Sequence, residues 1–162
     1  AGMTGKKTTI GPTGQAVSAN VKRHREQQRL TYAEMSRQLT EMGRPIPELG
    51  LRNIERGQRK VDADELVALA RILRVSPVSL LMPTAESGRD HVETTAFDDV
   101  TARQFWHWLR DGGLPNEQIN LDDLLRSRPA WTIEEDSPES EETTRQALDF
   151  IRRMAASNRG DD

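Results

Sequence analysis

An all-α fold is what this sequence predicts, with five short helices packed within residues 15–83 and a smaller helical region towards the C-terminus. Three observations predict it. Apolar residues recur at spacings of three and four, as in Leu66, Leu69, Ala70 and Leu73, which is the period of one helix face. Thr or Asp stands three residues ahead of Glu or Gln at Thr31/Glu34, Asp62/Glu65 and Thr101/Gln104, the pattern of a capped helix start. Gly43, Gly57 and Pro83 fall between the periodic segments, where they stop helices.

Taken in order, residues 1–14 are Gly, Lys, Thr and Pro without periodicity and read as a flexible arm. A first helix is expected from about Gln15 to Gln28, with Ala16, Val17 and Val21 inward. Thr31 caps a second, which turns Met35, Leu39 and Met42 inward and stops at Gly43. Pro47 opens a third, since proline is tolerated at the first helical position; it runs to Arg56 with Leu51 and Ile54 inward. Asp62 to Glu65 starts the strongly amphipathic fourth, and Ser76-Pro77 starts a short fifth that Pro83 closes. Residues 84–95 are polar, contain Gly88 and read as a linker. Beyond it, residues 96–162 form an acidic helical region for dimerisation or partner binding. It holds a capped helix with Phe105, Trp106, Trp108 and Leu109, ended by Gly112-Gly113, and a short turn near Asn120 to Leu125. A last helix begins at Ser137-Pro138, with Ala147, Leu148, Ile151 and Met154 on one stripe.

Composition narrows the function classes. Hydrophobic residues make up 35% and aromatics 4%, lean for one large core, so a small domain with an appendage fits better. The chain has no cysteine, which excludes disulfides, thiolate catalysis and cysteine-zinc sites and suits a reducing cytoplasm. Ala1-Gly2-Met3 begins no apolar stretch, and no apolar run approaches a membrane span, so neither a secretory signal nor a membrane is expected. The net charge of −3 hides an asymmetry. Residues 15–82 carry 12 Lys and Arg against 8 Asp and Glu, whereas residues 83–162 carry 9 Arg against 18 acidic residues. A basic half beside an acidic half is the asymmetry expected when one half meets phosphate, although acidic residues also serve solubility.

The residues Leu30-Thr31 with Glu34, the run Leu51-Arg-Asn-Ile-Glu-Arg-Gly57, and Leu66 through Ser76-Pro77 to Leu81 resemble the xenobiotic-response-element (Cro/C1-type) helix-turn-helix domain. Gly43-Arg-Pro-Ile-Pro47 adds a likeness to an actinobacterial-like subgroup of these transcriptional regulators. The resemblance covers Leu30 to Leu81 and implies a five-helix lambda-repressor-like fold, sequence-specific binding of double-stranded DNA and a repressor acting at the nucleoid in the cytoplasm, as a homodimer. It makes the third helix the one that enters the major groove. Glu48, Leu49, Arg52 and Asn53 would then face base edges. Arginine can pair with guanine and asparagine with adenine through two bonds, each good pair giving about 1–3 kcal/mol of discrimination. Arg23, Tyr32, Arg56, Gln58, Arg59 and Lys60 are the expected phosphate contacts, which set position and salt dependence but carry no sequence information. Lys6 and Lys7 form either a minor-groove arm or plain disorder. Ser36 supplies the small residue where the second and third helices cross. Gly50, unusual within a helix, either lets a base approach or relieves packing near the turn.

Two departures from the family pattern stand out. Tyr32 occupies the place where glutamine most often braces a phosphate, and its hydroxyl either replaces that group or simply packs. The connection between the second and third helices is longer than in the simplest members, with Thr40 to Arg44 as the extra material.

No enzyme is expected. His24, His91 and His107 lack the spacing of a zinc site, and Asp98-Asp99 and Asp122-Asp123 are neighbours that do not converge on a helix. No cofactor or metal is called for. The alternative function is an antitoxin or partner-controlled regulator, in which Trp106, Trp108, Leu148 and Ile151 form a docking face or dimer seam; the same tryptophans, with Trp131, could instead complete a small core.

Overall fold

The computed structural model describes residues 10–115 and 121–129, and these are helical: α1 (Pro12–Gln27), α2 (Tyr32–Glu41), α3 (Glu48–Glu55), α4 (Ala63–Ile72), α5 (Pro77–Leu81), α6 (Ala102–Asp111) and α7 (Leu121–Arg126). The one β feature among them is an isolated antiparallel bridge, His91 to Thr101. The chain divides into two compact units between Trp106 and His107. No described helix is long and apolar enough to cross a membrane.

The expected caps form. Thr31 Oγ1 accepts from the Glu34 amide while the Glu34 carboxylate takes the Thr31 amide. Asp62 with Glu65, and Thr101 with Gln104, close the same reciprocal pair. Ser76 caps α5 ahead of Pro77. Two starts differ from expectation. α1 begins at Pro12 rather than Gln15, because Pro12 takes the first-turn position, and Ile10 before it is buried; the described end of the expected arm is therefore folded. Pro47 is the residue before α3, not its first helical residue, since its ψ of 155° is extended.

The first four helices end alike. The residue after each C-cap is left-handed, and two amides turn back to the last-turn carbonyls, as in Arg44 N to Leu39 O at 2.9 Å and Gln58 N to Asn53 O at 2.8 Å. In α2 and α3 this residue is Gly43 (φ 73°) or Gly57 (φ 66°); in α1 and α4 it is Arg29 (φ 55°) or Arg74 (φ 52°). A side chain at such a φ costs about 1–2 kcal/mol. Leu30 and Val75, the residues that follow the two arginines, pack on the core and offset the strain.

That core draws on all five helices: Val17 and Val21 of α1, Met35 and Leu39 of α2, Leu51 and Ile54 of α3, Ala68, Leu69 and Ile72 of α4, and Leu80 of α5. Met42, expected inward, is exposed because α2 ends just before it. Two buried or bridging amides complete the assembly. Asn20 donates to the carbonyls of Ser79, Leu80 and Met82 at 2.7–3.3 Å, which satisfies orphan acceptors at the end of α5. Gln28 does the same for Leu73 at the end of α4.

The stretch expected as a linker is tied down. Thr13 and Thr95 exchange hydrogen bonds at 3.1 and 3.4 Å. The Asp90 carboxylate takes the amides of Glu86 and Ser87, and Val92, Val100, Ala102 and Phe105 are buried. Its polar composition hides this because short turns and one bridge, not a periodic face, hold it. In the second unit, α6 ends at Gly112 and Gly113, both left-handed, and α7 accounts for the expected turn near Asn120 to Leu125. Trp106 and Trp108 are half-buried. Lys6, Lys7, Trp131, Leu148 and Ile151 lie outside the described residues.

Arg74 has no ion pair among the described residues, so Arg74→Gly removes strain at little other cost. It should stabilise the protein by about 0.5–1 kcal/mol, read as a raised urea midpoint; a lowered midpoint would contradict the strain assigned to this turn.

Candidate nucleic-acid interface

α3 has eight residues and two faces. Leu51 and Ile54 are fully buried, and each anchors the helix by roughly 1.5–3 kcal/mol of apolar burial. At 100° per residue, Glu48, Leu49, Arg52, Asn53 and the C-cap Arg56 fan over an arc of roughly 140° on the other side. Of these, Leu49 is 66% exposed, Arg52 and Glu48 are about half exposed, and Asn53 is half-buried. The structure thus brings the four expected base-facing residues onto one outward face.

Gly50 lies between those faces. A Cβ there would meet the Ile46 Cγ2 at 3.0 Å, and Ile46 is buried. The missing side chain therefore makes room for Ile46 within the protein, which is the packing alternative of the two.

What fixes the angle of α3 is a polar cluster at its inner C-terminal end. Arg25 of α1 donates from Nε to Glu55 Oε1 at 2.6 Å and from Nη2 to Glu55 Oε2 at 3.0 Å. The Tyr32 hydroxyl of α2 donates to the same Oε2 at 2.7 Å. The Glu55 side chain is 4% exposed and that of Arg25 14%. The guanidinium carbons of Arg25 and Arg52 lie 4.4 and 4.5 Å from the centre of the Tyr32 ring, within cation–π range. Burial, and then the bond to Glu55, push the Tyr32 hydroxyl above its ordinary value, so it remains the donor. The Tyr32 hydroxyl is thus engaged inside the domain, while its ring lies against Arg52, one of the residues expected to face bases.

The sequence puts Arg25 with Lys22, Arg23 and Arg29 on the exposed face of the first helix, whereas its side chain is 14% exposed and turned to Glu55; Glu55 had no role of its own. A signal existed: Glu55 follows Leu51 by four residues, which puts a carboxylate on the buried face, where it requires a cation.

The remaining expected contacts separate. Arg56, Gln58 and Lys60 are exposed at the end of α3 and in the loop after it. Arg59 is engaged by Glu65, with Nη1 and Nη2 at 3.0 and 2.5 Å from its two oxygens. Arg23 does not join this group. It sits two residues from Arg25, roughly 160° around α1, and lines a cavity with Ser79 and with Met82 to Gly88. The α2 N-terminus, whose free amides attract anions, already holds the Glu34 carboxylate. The Thr31 amide and hydroxyl keep that group below its ordinary value.

Among the described residues no group of three or more acidic or histidine side chains could hold a metal ion. No family model, curated protein or solved structure matches this chain.

Tyr32→Phe keeps the ring and removes one donor, so it should cost about 1–2 kcal/mol. Glu55→Ala takes both short bonds from Arg25, which keeps only the Glu26 carboxylate at 3.5 Å, and should cost about 3 kcal/mol. Urea unfolding of both variants checks the order. Because the Tyr32 value is raised in the fold, its contribution is present below the ordinary tyrosine pKa of about 10 and is lost as pH rises through the raised value.

Proposed function

We propose that this protein is a λ-repressor-like, helix-turn-helix transcriptional regulator that binds duplex DNA by placing α3 in the major groove. The observation that carries the reading is the two-faced α3. Its inner residues Leu51, Ile54 and Glu55 are locked into the domain, and its outer residues Glu48, Leu49, Arg52 and Asn53 are left towards solvent. A helix of this kind, anchored on one side and hydrogen-bonding on the other, is what direct readout needs.

In this reading Arg52 reads guanine. It lies 3.7 Å from Glu48 across an exposed pair, worth at most about 1 kcal/mol. A bidentate contact to guanine gives about 1–3 kcal/mol of discrimination, so the base displaces the carboxylate. Glu48 is then left to accept from a cytosine amine or to penalise sites that lack one. Asn53 reads adenine, and Leu49 meets a thymine methyl. Arg56, Gln58 and Lys60 touch phosphate; Arg59 shapes their loop through Glu65. Arg23 is not part of this surface. Two copies reading a palindrome would place their half-sites about one helical turn apart, and a repressor of this type would act by occluding its own promoter.

The test is binding to fragments of the neighbouring promoter region at two salt concentrations. Arg52→Ala should weaken the preferred fragment by roughly 5- to 150-fold, the equivalent of about 1–3 kcal/mol, and leave weak binding to random DNA. Lys60→Ala should weaken all fragments alike and lower the salt slope by about one. A preference untouched by Arg52→Ala would contradict the assignment and favour the partner-binding alternative.

A further inference from the structure

Arg23 and Arg103 are basic residues that the DNA-binding reading leaves unused. Neither has a carboxylate within ion-pair distance among the described residues. Both line one open cavity of about 550 Å³ in the first unit, walled by α1, the end of α5, the chain to Gly88 and the start of α6. That volume lies within the range of small-molecule sites.

The cavity has a charged part and an apolar part. Arg23 Nη2 lies 3.4 Å from His24 Nε2. Burial, and then Arg23, push His24 below its ordinary value, so at neutral pH the imidazole is uncharged and can accept from Arg23. Arg103 is held in place: its amide donates to Gly88 O at 3.0 Å, and its side chain lies against Gly88, where a Cβ would come within 3.1 Å of Nε. Pro83 and Trp106 supply the apolar wall, and among the described residues Glu86 is the only carboxylate in the lining. Two guanidinium forks suit a carboxylate or phosphate, and the indole adds a flat apolar surface.

We infer that this cavity binds a small organic anion, with its charged end taken by Arg23 and Arg103 and a planar apolar body lying against Trp106 and Pro83. The best fit is an aromatic carboxylate. Its lining includes no residue of α3, and the inference does not depend on DNA binding.

The full chain, without DNA, is titrated with benzoate, benzamide or inorganic phosphate while the histidine ring protons are followed by NMR; the His24 signal is identified with His24→Gln. Benzoate should shift the His24 signal and raise its titration midpoint, because a nearby anion favours the imidazolium. Among the described residues Arg23, Arg103 and Glu86 are the charged groups in the lining with His24. Arg23→Gln and Arg103→Gln should each weaken benzoate by about tenfold, the loss of one charge-assisted contact, and Glu86→Gln should strengthen it. Unchanged unfolding midpoints in these variants show that the loss is one of binding. The inference is overturned if benzamide matches benzoate, if phosphate binds as well as benzoate, or if millimolar benzoate leaves the His24 signal unmoved.

Discussion

The Glu55 carboxylate joins three helices. It takes two bonds from Arg25 on α1 and one from the Tyr32 hydroxyl on α2, while belonging itself to the last turn of α3. Burying this group without partners would be prohibitive; burying it with three donors makes the relative placement of α1, α2 and α3 unique. Leu51 and Ile54 supply the free energy that holds α3 down, but apolar contacts tolerate small rotations. A carboxylate fixed by a guanidinium fork and a phenol tolerates far less, and the direction in which α3 faces outward follows from it. Through the Tyr32 ring the same cluster reaches Arg52, so the buried network touches the outer face.

Charge is sorted with similar economy. Arg44 pairs with Asp64, Arg37 with Glu41 and Arg59 with Glu65. Helix starts at Thr31 and Asp62 are capped by the chain's own carboxylates, Glu34 and Glu65. Beside α3 this leaves Arg56 and Lys60 without ion pairs among the described residues. Lys22, Arg23, Arg29, Arg71 and Arg74 of the same half also have no ion pair among the described residues. Arg23, together with Arg103 from the acidic half, lines the cavity beside His24.

Much of the first unit was legible in the sequence because its signals are local. Capping pairs, glycine stops and three-four spacing need no knowledge of the tertiary structure, and they located the helices to within a few residues. The inward pair Leu51 and Ile54 and the outward face of α3 follow from the same periodicity. What was hidden is non-local. Asn20 reads as an ordinary polar residue of α1, yet it is buried and holds the end of α5, about sixty residues on. The roles of Arg23 and Arg25 are set by which neighbour each one meets, not by composition; the sequence favoured the residue that turned out to face the cavity. The stretch after Pro83 lacked any period because its order comes from Asp90, Thr95 and one bridge. Leu148 and Ile151, the expected seam of a dimer, lie outside the described residues.

The central claim is that the outer face of α3 meets DNA and that the Arg23 side of α1 does not. Mapping backbone amide shifts of the full chain on adding a promoter fragment that it prefers tests this directly. The account predicts shifts concentrated over residues 48–60, with Arg23, His24 and residues 79–88 unmoved. Tight binding with shifts confined to Arg23, His24 and residues 79–88, and with α3 silent, would contradict it.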